Sequence, residues 1–382
     1  MQFRRVPFAV LAILVSALWL GPVPAGAAGI DTSAREAFIT DMETGAILLE
    51  KDADAPMHPA SMSKIMTVYL TFERLKDGRL SLDDELLVSE KAWRMGGSKM
   101  FVKVGNKVRI EDLLQGVIVQ SGNDACIVLA EGIAGTEEAF AELMTKKARE
   151  LGLTTSTFAN ATGWPNPNHI MTARELAMLA KHVIRDFPEY YHYFSEKEFT
   201  WNGIRQSNRN PLLYLSAGAD GLKTGHTEEA GYGLTASAVR NGRRVVMVLN
   251  GLPSQKARSE ESARLMDWAF REFGNYALFK PGEVVEQGEL WLGEKATVPL
   301  VIPDGLTVTL SRRARPDMKV TVSYDTVIPA PVKKGQEVAR LTVSAPDTDP
   351  IEVPLVAGED VARLGVFGRL TAALKYLIFG VN

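Results

Sequence analysis

The stretch Pro59-Ala60-Ser61-Met62-Ser63-Lys64-Ile65-Met66-Thr67-Val68-Tyr69-Leu70-Thr71-Phe72 joins a polar turn to a run that is apolar all round. Met62, Ile65, Met66, Val68, Tyr69, Leu70 and Phe72 mark a helix buried on all its faces. At its start stands the chain's one S-x-x-K, Ser61 to Lys64. On a helix, positions i and i+3 share a face, so the lysine amine can reach the serine hydroxyl. Unpaired backbone N–H groups at a helix start favour a developing oxyanion. A serine hydroxyl is a weak nucleophile until a base takes its proton. A lysine can do so when burial and nearby positive charge keep it neutral.

Outward from this segment the pattern is mixed. Ala37 to Met42 and Ala46 to Glu50 flank the turn Glu43-Thr44-Gly45 as a strand pair. Thr136 can cap a helix running to about Leu151, with Gly152 as its stop, and Thr172 with Glu175 reads as a capping box. Tyr232 to Val239 and Arg244 to Leu249 form a hairpin about Asn241-Gly242. Ser259 to Phe273 reads as a last helix, capped by Ser259 and stopped at Gly274. After Lys280-Pro281-Gly282 helical periodicity ends. Short β-type runs follow at Leu306 to Leu310, Lys319 to Tyr324, Glu337 to Val343 and Ile351 to Val356. The organisation expected is an α/β or α+β domain over 29–276, a small β-rich domain over 281–357 and a C-terminal segment over 361–382.

The chain has 382 residues, with 43 Lys+Arg against 46 Asp+Glu and a net charge of −3. That balance gives no global basic excess, so nucleic acid is not an expected partner. A lone Cys126 excludes an intramolecular disulfide and a cysteine-based zinc site. His58, His169, His182, His192 and His226 form no HExxH or other close pair, so no histidine-rich metal centre is expected.

Two further motifs carry chemistry. Ser121-Gly122-Asn123 lies between the apolar runs Leu113 to Val119 and Ala125 to Leu129. Its hydroxyl and amide can relay a proton and fix a substrate amide; the plain alternative is a turn in which Asn123 or Asp124 caps the next helix. Lys223-Thr224-Gly225, followed by His226-Thr227, precedes the strand from Tyr232. Lysine and hydroxyl can bind a carboxylate, and the glycine can admit a ligand to the backbone; the alternative is a solvated strand-end lysine beside a turn glycine. S-x-x-K, S-x-N and K-T-G each occur once and in this order, the signature of the serine β-lactamases and penicillin-binding proteins.

Pro59-Ala60-Ser61-Met62-Ser63-Lys64, Ser121-Gly122-Asn123-Asp124-Ala125 and Asp220-Gly221-Leu222-Lys223-Thr224-Gly225-His226-Thr227 resemble the low-molecular-mass penicillin-binding proteins. More narrowly, the chain resembles the serine D-alanyl-D-alanine carboxypeptidases of the penicillin-binding protein 5 and 6 type. Phe158-Ala159-Asn160-Ala161-Thr162-Gly163 and Asn208-Arg209-Asn210 add to the likeness. It covers about residues 29–276 strongly and the rest by texture. The resemblance implies an α+β fold: a β-lactamase-like catalytic domain with a central antiparallel sheet and helices, then a small all-β domain and a C-terminal amphipathic helix. It implies Ser61 as nucleophile, Lys64 as general base, Ser121 as proton relay and Asn123 as the residue that orients substrate. Lys223 and Thr224, with Gly225 beside them, would bind the terminal carboxylate, helped by Arg258. The backbone N–H groups of Ser61 and His226 would form the oxyanion hole. The implied substrates are peptidoglycan stem pentapeptides, with β-lactam antibiotics as covalent inhibitors and no metal or organic cofactor. Rival readings are a serine β-lactamase, a D,D-endopeptidase and a non-enzymatic wall-binding scaffold. No E-x-x-L-N deacylation motif lies between Ser121 and Lys223, which speaks against the first.

The ends carry an address. Arg4 and Arg5, the apolar run Val6 to Leu20 and Ala25-Gly26-Ala27-Ala28 read as a secretory signal over 1–28, with a retained anchor as the alternative. The protein is therefore expected on the periplasmic face of the cytoplasmic membrane. From Val361 to Asn382 the charges are Arg363, Arg369 and Lys375, and Phe367, Leu370, Leu374 and Leu377 share one helical face. Such a segment suits an anionic membrane surface; the alternative is a terminal helix packed on the protein itself.

Overall fold

The structure, a computed structural model, describes residues 30–324 and 327–371. The expected signal and the last residues of the C-terminal segment lie outside the described residues.

The first domain is a five-stranded sheet between two helical layers. Its strands are β1 (Glu36–Asp41), β2 (Ile47–Lys51), β3 (Ala219–Thr227), β4 (Gly231–Arg240) and β5 (Arg243–Leu252). They lie in the order β2-β1-β5-β4-β3, every neighbouring pair antiparallel. The β4–β5 loop is Asn241-Gly242, both at positive φ (51° and 79°), the backbone that a two-residue hairpin turn requires. Val245 to Leu249 is buried without interruption because both faces of β5 are covered. Val246 and Val248 face α1 (Lys64–Lys76), α2 (Ile110–Ile118), α3 (Asn123–Ala134), α4 (Glu137–Glu150) and α5 (Ala173–Asp186). Val245, Met247 and Leu249 face α6 (Gln255–Glu272) through Leu265, Met266 and Ala269. Fully burying a Leu- or Met-sized side chain stabilises by about 1.5–3 kcal/mol, so the sheet is fixed from both sides.

Two local readings are corrected. The last helix begins four residues before Ser259. Ser254 has the extended backbone an N-cap needs (φ −156°, ψ 163°), and its side chain accepts from the Ala257 N–H. That places Arg258 inside the helix. Thr172 does cap α5, accepting from the Glu175 N–H at 3.1 Å, but the glutamate does not complete the box. Its carboxylate accepts from the backbone N–H of Thr155 (2.7 Å) and Ser156 (2.8 Å), closing the loop ahead of the helix.

Gly274 stops nothing. α6 ends at Glu272, and Phe273 opens β6 (Phe273–Phe279) with no intervening loop. The β pairing of the second domain thus starts before residue 281, since β6 pairs with β9 (Leu306–Ser311). The remaining strands are β7 (Glu283–Trp291), β8 (Thr297–Ile302), β10 (Lys319–Ser323), β11 (Ile328–Pro329), β12 (Glu337–Ala345) and β13 (Thr348–Ala357), ordered β10-β12-β13-β8-β7-β11. Val298, Leu300, Val308, Leu310, Leu341 and Leu355 fill their core. At the junction, Arg243 pairs with Asp41 at 2.8 Å and donates to Asn275 Oδ1 at 3.1 Å. Asn275 in turn donates to Asp41 and accepts from the Thr309 hydroxyl.

The C-terminal segment is divided. Val361, 3% exposed, exchanges both backbone hydrogen bonds with Val332 and belongs to the β core. Residues 366–371 are helical, with Val366, Phe367 and Leu370 exposed by 71%, 87% and 69%. Among the described residues, no helix is long and apolar enough to cross a membrane.

Candidate active site

Ser61 lies in a tight 3-10 turn, Ala60–Ser63, that runs directly into α1. Ala60 takes a left-handed backbone (φ 48°), and the Ser63 hydroxyl donates back to the Ala60 carbonyl at 3.0 Å. Strain held at a turn of this kind keeps a side chain aimed where a relaxed helix would not.

Lys64 opens α1 and is wholly enclosed. Its Nζ is 2.7 Å from Ser61 Oγ, 2.7 Å from Asn123 Oδ1 and 2.6 Å from the Thr162 carbonyl. The Asn123 amide is oriented by its other end, since Nδ2 donates to the Gly96 carbonyl at 2.8 Å. Two of the three lysine partners can therefore only accept. A neutral amine gives its two hydrogens to those, and its lone pair is left facing the serine hydroxyl. Burial brings the Lys64 pKa down to about 8, and the charge of Arg209 adds to the fall; Cys126 and Asp124 oppose it.

Asn123 is reached through a turn in which Ser121, buried, holds φ 61°. The capping alternative fails, because the N-cap of α3 is Gly122, which has no side chain. Asp124 instead accepts from the N–H groups of Met100 (2.8 Å), Phe101 (2.8 Å) and Val102 (3.2 Å), fixing the loop that supplies Gly96 and Ser98.

On β3, Lys223 and Thr224 are buried, so the solvated-lysine alternative fails too. Burial first, then the charges of Lys64 and Arg209, push the Lys223 pKa well below its ordinary value. An anion between these groups would favour the ammonium form. Gly225 is needed for a reason other than ligand access: a Cβ there would meet the Pro59 carbonyl at 2.8 Å and Met62 Cγ at 3.1 Å. The close approach belongs to the chain's own Ala60–Ser63 turn. His226 is exposed, its ring 3.9 Å from that of Tyr232. Arg258 is buried on α6, its guanidinium 5.7 Å from the Tyr232 ring and its Nε without a hydrogen-bond partner. Burial lowers its pKa to about 10, and its charge reaches Lys223.

Thr162, Asn160, Gly163 and Arg209 had no assigned role in the sequence. The Thr162 carbonyl is presented by a turn in which Asn160 Oδ1 accepts from the N–H groups of residues 162, 163 and 164. Gly163 (φ 75°) permits that turn, as a Cβ would lie 2.0 Å from the Ala60 carbonyl oxygen. Arg209 donates to Ser98 Oγ at 2.6 Å beside the lysines. Asn160 to Gly163 and Asn208 to Asn210 were visible as segments; a main-chain carbonyl leaves no mark in a sequence. Among the described residues, no group of three His, Cys, Asp or Glu side chains could hold a metal ion.

A serine on a strained turn, a buried lysine against it and a cationic strand alongside define an active-serine peptidase. The chain belongs to the D-alanyl-D-alanine carboxypeptidase family, whose profile matches residues 24–253. A second profile, the C-terminal domain of penicillin-binding protein 5, matches residues 273–363. The chain is 39% identical over 345 residues to D-alanyl-D-alanine carboxypeptidase DacC of Escherichia coli K12, covering 88% of this chain and 86% of that one. Penicillin-binding protein 5 from Haemophilus influenzae superposes with a TM-score of 0.80 at 34% identity, covering 88% of this chain and 100% of that one. Penicillin-binding protein D2 from Listeria monocytogenes, in its ampicillin-bound form, gives 0.58 at 30% identity over 63% of this chain and 98% of that one.

Proposed function

We propose that this D-alanyl-D-alanine carboxypeptidase removes the terminal D-alanine of peptidoglycan stem pentapeptides through an acyl-enzyme on Ser61. The observation that carries the reading is the 2.7 Å contact between the buried Lys64 Nζ and Ser61 Oγ. Lys223 and Thr224, with Arg258 behind them, take the terminal carboxylate, and Asn123 orients both Lys64 and the substrate amide. Ser61 Oγ attacks the penultimate D-alanine carbonyl while its proton passes to Lys64. The oxyanion rests on the backbone N–H groups of Ser61 and His226. Ser121 relays the proton to the leaving amine, the C–N bond breaks and free D-alanine departs. Water, deprotonated by the same lysine, then cleaves the ester and restores Ser61.

A β-lactam follows the first half of this path. Its amide nitrogen stays tethered after ring opening, so the adduct persists. The β-lactamase alternative has no support at Glu175, whose carboxylate is committed to the 154–156 loop.

In this reading residues 1–28 export the protein. The segment from 366 onward docks on the periplasmic face of the membrane, and the β domain holds the catalytic domain off it. Exposed Phe367 and Leu370 support the docking. Mass spectrometry of the purified protein with a D-Ala-D-Ala pentapeptide should show loss of one D-alanine, and with penicillin a stable adduct on Ser61. Cleavage only of cross-linked dimers would point to the endopeptidase, and rapid catalytic turnover of penicillin to the β-lactamase.

A further inference from the structure

The proposed reaction gives the site a direction. The terminal carboxylate goes to Lys223 and Thr224, and the carbonyl under attack lies between Ser61 and the His226 N–H. The part of the substrate on the other side of that carbonyl, its acyl arm, then runs along β3 past His226 toward Thr227. There Trp164 and Glu229 share the rim of a small cavity, about 10 Å³, with His58, Ala60, His169 and Thr227.

Trp164 is fixed by its backbone and open on its ring. Its N–H donates to Asn160 Oδ1 (3.0 Å) and Thr162 Oγ1 (3.1 Å), and its carbonyl accepts from Asn160 Nδ2 (3.0 Å). The indole lies so close to the Gly97 main chain that a Cβ there would stand 2.9 Å from Trp164 Cζ3. The residue is nevertheless 46% exposed. An aromatic ring backed by bare main chain and held by its own backbone is a preformed apolar shelf, and a ligand laid on it has little to order. The shelf stands two residues from the Thr162 carbonyl that meets Lys64 Nζ.

The groups beside the shelf add polarity. The Glu229 side chain is 67% exposed, and its neighbour Glu228 is exposed as well. The cations near them are His58, with Nε2 3.2 Å from Glu229 Oε1, and Arg35, which donates to the main-chain carbonyls of Glu229 and Ala230. One end of the site thus carries Lys223, Arg209 and Arg258, and the other Glu228 and Glu229. His169, 2% exposed, lines the cavity between. Its Nδ1 accepts from the Ala159 N–H at 3.4 Å, so Nε2 carries the ring hydrogen, and that N–H has no hydrogen-bond partner among the described residues. The cavity has room for one water, through which the N–H can reach a carbonyl of the arm.

We infer that Trp164 and Glu229 form a subsite for the acyl arm, one that selects an arm bearing a methylene chain ended by an ammonium group. The methylenes lie on the indole, and the ammonium sits beside the carboxylate. The inference rests on the proposed release of D-alanine at Ser61, whose direction along β3 it uses. Because Glu229 is exposed, the charge adds less to the selection than the shelf does.

The test uses the full-length protein and three peptides, Nα-acetyl-X-D-Ala-D-Ala, in which X is L-lysine, Nε-acetyl-L-lysine or L-alanine. The parent should rank them in that order by kcat/KM for D-alanine release. Trp164→Ala should cost both lysine peptides about three- to tenfold more than the alanine peptide. Glu229→Gln, at an exposed position, should narrow the preference for the free amine over the acetylated one about two- to fivefold, with the ratio of the acetyl-lysine to the alanine peptide as in the parent. A parent that treats the three peptides alike, or losses equal across the three in the variants, overturns the subsite alone. No D-alanine from any of them overturns the subsite and the proposed reaction together.

Discussion

Lys64 Nζ meets Ser61 Oγ at 2.7 Å, with the lysine fully enclosed and the serine open on one side. In the proposed reaction, removing the hydroxyl therefore removes the attacking atom and little of the packing. Ser61→Ala should abolish D-alanine release and covalent penicillin labelling while leaving the thermal midpoint within about 1–2 °C, since substitutions away from packed groups stay within about 0.5 kcal/mol. Residual labelling on gels would exclude Ser61 as the nucleophile.

In the proposed reaction the lysine must be neutral to act as the base. Its pKa of about 8 means that acylation should fall about tenfold per pH unit well below that value. Lys64→Arg should lose at least about a hundredfold, because a guanidinium cannot act as a base near neutral pH. The same shift has a sign in stability. The folded value lies below the ordinary 10.5, so between about 8 and 10.5 the unfolded chain binds more protons. Stability relative to Lys64→Met should then rise with pH across that window and be lowest below it. Urea titrations at several pH values read this; a parent stability that falls relative to Lys64→Met toward pH 10 would contradict the neutral-lysine argument.

Asn123 ties Lys64 to the Gly96 loop. Asn123→Asp would place a carboxylate on the amine and favour the ammonium. The acylation profile should move about one pH unit or more to the alkaline side, measured with the same penicillin. The lost bond to the Gly96 carbonyl should also cost about 1–3 kcal/mol of stability.

Gly163 admits the Thr162 carbonyl to the lysine by passing under Ala60. Gly163→Ala combines a positive φ of 75° with a Cβ 2.0 Å from a backbone oxygen. A loss of about 2 kcal/mol or more is expected, with penicillin labelling lost ahead of global unfolding. Calorimetry and labelling on the same sample check both.

Deleting residues 366–382 should give a stable, active enzyme that no longer sediments with anionic vesicles. Deleting from Val361 should in addition destabilise the β domain by about 1.5–3 kcal/mol, because Val361 is buried against Val332. A basic residue near an anionic surface contributes about 1 kcal/mol, so salt alone should leave the full chain bound and detergent should release it. Persistent sedimentation of the 366–382 deletion would place the membrane contact elsewhere.

Much of this was legible before the fold. The S-x-x-K spacing survives even though Ser61 sits in a 3-10 turn, because i and i+3 share a face in both helix types. Asn241-Gly242 announced its hairpin because few other pairs adopt two positive φ values. Ser259 misled because Ser254 offers an equally good cap, and local sequence cannot rank two serines five residues apart. Strands β7 and β8 went unnoticed; β7 is largely exposed and lacks clean alternation. Lys223, read as a carboxylate binder from its motif, left a solvated strand-end alternative open, since only the packing of the domain encloses it. The Thr162 carbonyl reaches Lys64 through a chain crossing that no local pattern encodes.

The passage from α6 into β6 without a loop has a mechanical result. A helix and a strand that share one uninterrupted backbone, clamped at Asp41, Arg243, Asn275 and Thr309, join the two halves without a linker. The β domain behaves as a strut. Wherever its far end is held, Ser61 is carried at one fixed offset from that support. With the segment from 366 onward held as proposed, the enzyme would trim a layer of its polymer rather than a volume, and lengthening the strut by an inserted linker would turn the layer into a zone.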